Sequence, residues 1–411
     1  MAMRPIEIGQ RSETVRRANL SAIVRELHAR WPLSRSDLVA LTGLTRSAIR
    51  SLIGEFVEAG LVTEERAAPL GTPGRPSAVV RLNPESAVVL ALEISVDSLA
   101  AAEVGLGGEV LDRVRVDRPR GHSSVDAVVA DLADLAASLR ARRPRRNPLI
   151  GIGVAVVAVV RRSDGFVSMA PNLGWRDVPL DGRLAVALQT DVPISVGNDA
   201  DLGALAEVRR GAAVGADDVL FIRGEVGVGG GLIVGGAPLT GAAGYGGEIG
   251  HIPVNQNGSA CRCGSFGCWE TEVGEGALLL RAGHPPGGGR AEVAAVIREA
   301  ESGSAAALSA LDNVGQWLGF GLAGLVNVFN PQLVVLGGLF GRIHPYVRRT
   351  MTAELDRRVL PASRAMLQVV PSTLGVDAPL IGAAELAFDP LLADPATWLR
   401  PRVALTDRAS A

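Results

Sequence analysis

The chain contains no lysine: all 41 of its basic residues are arginine. We read that as a composition bias of the genome and attach no function to it. Long apolar runs are also missing. The longest, residues 149–160, falls short of the roughly 20 residues that a bilayer-crossing helix needs. The opening Met1-Ala-Met-Arg-Pro-Ile-Glu-Ile8 lacks the apolar core of about 7–15 residues that marks a signal peptide. Both absences point to a cytoplasmic protein. Cysteine is scarce, with Cys261, Cys263 and Cys268 alone. An odd number inside one short segment excludes a disulfide framework and suggests a metal site. Strong charge of one sign is absent too: the net charge is −2, which excludes a protein that coats nucleic acid along its whole surface. No short-period repeat is visible.

What is present is a globular composition, 47% apolar and 20% charged over 411 residues, long enough for two to three domains at about 150 residues each. The charge is unevenly placed. Residues 1–82 carry 12 Arg and 8 acidic residues, a balance of +4, which leaves −6 for the rest. A small basic module therefore leads a larger acidic body.

In that module Leu20, Ile23, Val24 and Leu27 recur at helical spacing, predicting a helix over 18–30 that Pro32 stops. Ser34-Arg-Ser-Asp37 has the form of a capping box for a short second helix that ends at Gly43. Thr45 caps a third, with Ile49, Leu52, Ile53 and Phe56 inward and Gly60 at its end. Strands at 61–64 and 78–82 flank Pro69-Leu-Gly-Thr-Pro-Gly-Arg-Pro76, which reads as a wing. Residues 12–83 thus form a winged helix-turn-helix. Thr45, Arg46, Ser47, Arg50 and Ser51 on the third helix, with Ser34 nearby, are the candidates for contacts to double-stranded DNA in the major groove. Arg75 is the candidate for a minor-groove contact. The competing readings are a protein-contact module and, for Arg75, an ordinary turn arginine.

From Ser86 onward strand-like runs alternate with Ala-rich helical stretches, an α/β pattern. Strands are expected at 88–94, 100–104, 110–116, 150–159, 194–196, 219–222, 231–234 and 333–336, and helices at 125–142, 201–210 and 305–328. The basic loop 140–146 reads as a solvated segment, with a second DNA contact as its alternative. Residues 390–411 read as an irregular tail.

His251 and Cys261-Arg-Cys263-Gly-Ser-Phe-Gly-Cys268 carry the strongest chemical signal. One imidazole and three thiolates make a complete tetrahedral zinc set with no open position for water, so the expected ion, Zn2+, is structural. An iron–sulfur cluster fits worse, because His replaces a thiolate and the spacing is unlike ferredoxins. Several polar residues lie wedged among small or apolar ones: Asn172, Asn198, Asp199, Glu248 and Glu270. Carboxylates and amides suit the vicinal hydroxyls of a sugar, with an aromatic face expected from the neighbouring tryptophans. Taken singly, Asn198 also reads as a helix cap and Glu270 as a surface charge.

Gly247-Glu-Ile-Gly-His251, the Cys-x-Cys-Gly-x-x-Gly-Cys-x-Glu run at 261–270, Asn198-Asp199 and Asn330-Pro-Gln-Leu-Val-Val-Leu-Gly-Gly338 resemble the ROK family, which joins sugar-responsive repressors with sugar kinases. The resemblance covers 86–389, and the winged helix matches the repressor branch. It implies a two-lobed, actin-like (ribonuclease H-like) sugar-kinase fold with the ligand between the lobes. It also implies that Asn172, Asn198, Asp199, Glu248, His251 and Glu270 contact a monosaccharide or sugar derivative, with Asp199 at the position of the kinases' general base. His251 would serve metal and sugar at once.

The kinases' Asp-x-Gly-Gly-Thr turn is here Glu93-Ile-Ser-Val-Asp-Ser98, which keeps no glycine for close approach to phosphate. Their Gly-Thr-Gly loop is here Glu225-Val-Gly227, whose carboxylate would repel a polyphosphate. Gly229-Gly-Gly231 is retained. The expectation is therefore a non-enzymatic, sugar-responsive repressor, acting as a homodimer or homotetramer on operator DNA. The alternatives are an ATP-dependent sugar kinase with an accessory DNA-binding domain and a regulator that senses a partner protein.

Overall fold

The computed structural model describes residues 12–66, 78–121, 123–142 and 149–399. Arg75 with the wing tip, most of the basic loop, and the tail from 400 onward lie outside the described residues.

The N-terminal module follows its caps. Helix α1 (Ser12–Arg30) starts ahead of the expected boundary, and its first turn is tied to the third helix by Arg16 and Glu55, 3.3 Å apart. After the short strand β1 (Leu33–Ser34), α2 (Arg35–Thr42) opens on a full capping box: Ser34 Oγ accepts the Asp37 N–H at 3.1 Å, and Asp37 accepts the Ser34 N–H at 2.8 Å. Gly43 ends it at φ 70, a conformation a side chain disfavours. Helix α3 (Arg46–Glu58) buries Ile49, Leu52, Ile53 and Phe56, the four residues its periodicity selects. Strands β2 (Val62–Arg66) and β3 (Ala78–Leu82) pair antiparallel, and β1 adds to β3.

The body begins with the meander β4 (Val88–Ile94), β5 (Ser98–Gly105) and β6 (Glu109–Asp117), followed by α4 (Val125–Ala141) and β7 (Leu149–Val156). The expected strand over 150–159 breaks here, and β8 (Val159–Arg161) instead joins β9 (Phe166–Ala170) and β10 (Trp175–Val178) in a small separate sheet. Helix α5 (Leu180–Ala187) and β11 (Ile194–Asn198) complete a five-stranded sheet of order β6-β5-β4-β7-β11. Helix α6 (Asp199–Arg210) leads to β12 (Val219–Gly224), β13 (Val228–Val234) and β14 (Ala237–Pro238). Then come α7 (Trp269–Val273), α8 (Glu275–Arg281), α9 (Gly289–Glu301), α10 (Ala305–Phe329), β15 (Leu333–Gly338), α11 (Leu339–Arg358), α12 (Pro361–Met366), β16 (Gln368–Pro371) and α13 (Ala378–Ala393). The second sheet has the order β14-β13-β12-β15-β16. Read from the first strand of each, both sheets run 3-2-1-4-5 with the same parallel and antiparallel pairs, so the body is an internal duplication.

Two helices cross between the lobes. Helix α6 packs on β12 and β13 of the second sheet, α13 packs on β4 and β7 of the first, and the pair pack on each other. Their approach needs glycine. A Cβ at Gly382 would stand 1.9 Å from the Leu202 carbonyl oxygen, and one at Gly153 would stand 1.8 Å from that of Ala383.

The expected irregular tail is partly wrong. Helix α13 continues through Pro390 to Ala393, and a 3-10 turn, Pro395–Thr397, follows. Leu391, Leu392 and Ala396 are buried in one apolar cluster with the module's Leu20, Ile23 and Phe56 and the body's Val89 and Phe388. Ser21 Oγ donates to the Leu392 carbonyl at 2.6 Å, and Arg17 pairs with Asp394 at 3.1 Å. The segment after Pro390 thus packs against α1. Among the described residues no helix is long and apolar enough to cross a membrane.

The Gly382→Ala variant should lose at least about 1–3 kcal/mol, because the added methyl meets backbone that cannot yield cheaply. Urea denaturation measures it, and an unchanged midpoint would contradict the crossing geometry.

Candidate functional site

The six residues singled out for a sugar come from separate elements and meet in one interlobe cleft of about 220 Å3. Asn172 stands on the β9–β10 turn. Asn198 and Asp199 stand where β11 becomes α6. Glu248 and His251 belong to the segment after β14, and Glu270 opens α7. Asn198 also caps α6, as its alternative reading has it: Oδ1 accepts the N–H groups of Ala200 at 2.8 Å and Asp201 at 3.1 Å, and Nδ2 donates to the Ala158 carbonyl at 2.9 Å. Its place in the cleft is thereby fixed. Among the described residues no Trp, Tyr or Phe lines the cleft to give the expected aromatic face. Trp175 and Trp269 are buried with their indole N–H groups on the carbonyls of Ser123 and Trp317, and Met169, Val157 and Val159 supply the cleft's apolar surface.

His251, Cys261, Cys263 and Cys268 converge, each offering a ligand atom within 4.8 Å of the others. Cys263 Sγ and Cys268 Sγ are 3.7 Å apart, and Cys261 Sγ lies 3.6 Å from His251 Nδ1. A tetrahedral ion with metal–sulfur bonds of about 2.3 Å requires S···S edges of about 3.8 Å and slightly shorter N···S edges. The four groups therefore fit a tetrahedral metal ion. His251 turns Nδ1 to the cysteines and Nε2 toward Glu248, 3.9 Å away, so its two nitrogens face the cluster and the cleft. Glu270 Oε1 accepts from Cys261 Sγ at 2.9 Å, tying a cleft carboxylate to the cluster.

Sequence reasoning missed Arg223. It lies at the end of β12, 4% exposed, and its Nη1 pairs with Asp199 Oδ2. Its Nη2 lies 3.5 Å from Glu93 and 3.4 Å from Glu225. Burial alone would lower the guanidinium's pKa, but the three carboxylates raise it further, so the group stays charged. Burial pushes the Asp199 carboxyl up, against the pull of Arg223. Glu225 is not isolated: it shares the single Arg223 guanidinium with Asp199 and Glu93, so carboxylates remain in excess in the cluster. A charged residue closing the otherwise apolar Val219-Leu-Phe-Ile222 run was the signal that could have found it. The glycine-free turn is tied down as well. Asp97 pairs with Arg120 at 2.9 Å and Arg290 at 3.1 Å, and Arg120 reaches Glu275 across the lobes at 2.5 Å. Arg262, also missed, lines the cleft and donates to Asn172 Oδ1 at 2.5 Å.

At the other end of the molecule, α3 exposes Arg46, Ser47, Arg50 and Ser51. Neither arginine has an ion-pair partner among the described residues. Thr45 Oγ1 accepts the Ala48 N–H at 3.2 Å, and Ser34 acts as the cap of α2.

The model of the ROK family matches residues 89–389. The chain belongs to the ROK family. Its relatives span both branches. A xylose repressor of Bacillus subtilis is 29% identical over 92% of this chain and 97% of its own. A glucokinase of Halalkalibacterium halodurans is 31% identical over 72% of this chain and 93% of its own. A solved ROK family transcriptional regulator, described as a homolog of the E. coli MLC protein, superposes with a TM-score of 0.74 at 24% identity. It covers 94% of this chain and 97% of its own, and shares the fold over that span. This ROK chain brings the cysteine run and the polar set together and carries a buried arginine beside Asp199.

The Arg223→Ala variant should lose about 3–5 kcal/mol by stranding buried carboxylates. Those carboxyls would then titrate above their unfolded range, so the loss should grow as pH rises from about 4. Denaturation at pH 5 and pH 8 checks this. An equal loss at both would mean that Arg223 is not what neutralises them.

Proposed function

We propose that the chain is a sugar-responsive repressor of carbohydrate uptake or catabolism genes, and not a sugar kinase. The observation that carries this reading is the Asp199–Arg223 ion pair. A general base must be free to take a proton from the attacked hydroxyl. Here the carboxylate in that position is bonded to a buried guanidinium, beside a glycine-free turn held by Arg120 and Arg290. The cleft keeps groups for holding a sugar and has lost those for transferring phosphate to it. The xylose repressor relative, which aligns over 92% of this chain, supports the same reading and makes pentoses the first sugars to try.

In this reading Asn172, Asn198, Asp199, Glu248, His251 and Glu270 bind the sugar's hydroxyls. His251, Cys261, Cys263 and Cys268 hold one structural zinc ion, which when bound cross-links the loop that carries Glu248 and Glu270. The chain itself orients the sugar. Thr45, Arg46, Ser47, Arg50 and Ser51 enter the major groove, with Ser34 at the backbone and Arg75 in the minor groove. Two copies bind an inverted repeat with half-sites one or more helical turns apart, as a homodimer or a pair of dimers.

The signal has a short route. Helix α6 begins at the cleft with Asn198 and Asp199 and ends with Arg209 and Arg210 at the winged helix. There the Glu385 carboxylate, 1% exposed, accepts from Arg210 Nε at 2.7 Å and Arg209 Nη1 at 3.2 Å. Its Oε2 lies 3.1 Å from His28 Nε2 on α1. His28 Nδ1 accepts the Gly107 N–H at 3.0 Å, so the Nε2 proton faces Glu385. Arg210 also donates to the His28 carbonyl at 2.7 Å. Sugar-driven movement of α6 is thus passed to α1 by direct hydrogen bonds.

The deciding experiment is operator titration by the zinc-loaded chain, with and without xylose, glucose and N-acetylglucosamine, beside an assay for ATP turnover. One sugar should change operator affinity by about 5–150-fold, the usual range of coupling between sites. Sugar-dependent ATP consumption would establish the kinase instead, and operator binding that ignores every sugar would favour a protein signal.

Two variants test the assigned modules. Arg46→Ala or Arg50→Ala should weaken operator binding by about 1–3 kcal/mol while sugar affinity stays unchanged. Loss of sugar affinity would mean that the winged helix is misassigned. Cys263→Ala, or chelation of the metal, should lower both the melting temperature and the sugar affinity, and wild-type values for both would refute the structural zinc.

A further inference from the structure

At one end of the cleft the two lobes meet through charge. The glycine-free turn after β4 brings Asp97 to the cleft wall. The segment after β6 lies beside it. There the Arg118 N–H donates to the Asp97 carbonyl at 2.9 Å, two residues before Arg120. From the second lobe come Glu275, the first residue of α8, and Arg290, in the first turn of α9. Each lobe thus supplies one carboxylate and one guanidinium.

The pairs run crosswise. Arg120 forks onto Glu275, with Nη1 on Oε1 at 2.5 Å and Nη2 on Oε2 at 2.9 Å. Arg290 Nη2 lies 3.1 Å from Asp97 Oδ1. Within the first lobe, Arg120 Nη2 also donates to Asp97 Oδ2 at 2.9 Å. The result is one continuous series, Glu275–Arg120–Asp97–Arg290, that crosses the lobe boundary twice.

This set differs from an exposed surface ion pair. The Glu275 side chain is 4% exposed and that of Asp97 is 15% exposed. A fork-on-fork arginine–carboxylate pair adds geometric specificity to charge, and partial burial limits screening by salt. The backbone is fitted to it. Gly289 opens α9 at φ 71, where a Cβ would stand 3.4 Å from the Arg120 guanidinium carbon. The Glu275 N–H donates to the Glu225 carbonyl at 3.2 Å, which ties α8 to a loop that lines the cleft.

Other bonds also cross between the lobes, but they use different groups. Arg262 occupies Oδ1 of Asn172, a residue assigned above to the sugar, so a sugar that takes this oxygen breaks the tie. Tyr245 bonds Ser168 at 2.9 Å in an exposed position. The charged series includes none of the six residues assigned to the sugar, so it can persist when the sugar enters.

We propose that Asp97, Arg120, Glu275 and Arg290 are positioning residues for the sugar. They form a clasp that holds the lobes face to face before any ligand arrives. This deepens the sugar-sensing reading and rests on it for the ligand. Opening the lobes breaks both cross-lobe pairs together. A sugar that enters a clasped cleft does not have to draw the lobes together, so its apparent affinity rises with the fraction of molecules already clasped.

The test compares wild type with Glu275→Gln and Arg290→Gln in the zinc-loaded full chain, and Arg290→Lys serves as the variant that keeps the charge. Small-angle X-ray scattering of the sugar-free chain reads lobe separation without needing an effector. Both Gln variants should have a larger radius of gyration than wild type while keeping its helix content by circular dichroism. Arg290→Lys should stay close to wild type. Titration calorimetry with xylose, glucose and N-acetylglucosamine reads the positioning. The sugar that binds wild type should bind each Gln variant about tenfold or more weakly, the loss expected from a hydrogen bond to a charged group. Scattering of both Gln variants that matches wild type would overturn the clasp, and so would wild-type sugar affinity in both. Expansion of the Gln variants with no saccharide binding to any of the proteins would leave the clasp standing and overturn the sugar-sensing reading instead.

Discussion

One buried carboxylate sets the relation between the two parts of the molecule. Glu385 stands on α13, the last long helix, and takes hydrogen bonds from Arg209, Arg210 and His28. Burial alone would push its carboxyl up. The His28 hydrogen bond and the two guanidinium groups instead hold it well below the ordinary carboxylate range. A buried charge of this kind is costly unless fully partnered, and losing one partner is worse than never having had the set. The partners come from α1, α6 and α13, so the winged helix cannot turn on the body without disturbing the bond network. The apolar cluster that runs from Leu20 and Phe56 into Val89, Phe388 and Leu392 fixes the same interface sterically.

That interface gives α6 its importance. Its first turn is set by Asn198 and by the Asp199–Arg223 pair, both in the cleft, and its last turn ends in the Glu385 network. A helix is stiff along its axis, so a ligand that moves one end need not deform anything between to move the other. The buried arginine bonded to Asp199 makes that residue a structural anchor.

The sequence disclosed a good deal of this through local rules. The caps at Ser34 and Thr45 and the inward faces of α1 and α3 were readable because helix periodicity and capping are short-range. The cysteines of the His–Cys cluster that could hold a metal were readable because chance seldom crowds a chain's three cysteines into eight residues. Assembly across distance was not. Pro345 and Pro390 sit inside α11 and α13 and hide them as helices, since proline reads as a breaker where tertiary packing tolerates it. The duplicated sheet order is topological and leaves no repeat in the letters. Arg223 and Glu225 looked unrelated until β12 placed them beside Asp199 and Glu93. The tryptophans neighbour the sugar candidates in sequence, yet both turn into the core.

The central claim is that the cleft and the DNA-binding helix are coupled through Glu385. The most direct measurement is operator affinity, with and without the effector sugar, in the wild-type chain and in Glu385→Gln, which keeps the shape and removes the charge that the two arginines share. Both proteins should bind sugar with similar affinity and operator in at least one state. The wild type should show the sugar-dependent change, and the variant should show almost none. A variant that responds to sugar as fully as the wild type would contradict the account and place the signal's route elsewhere.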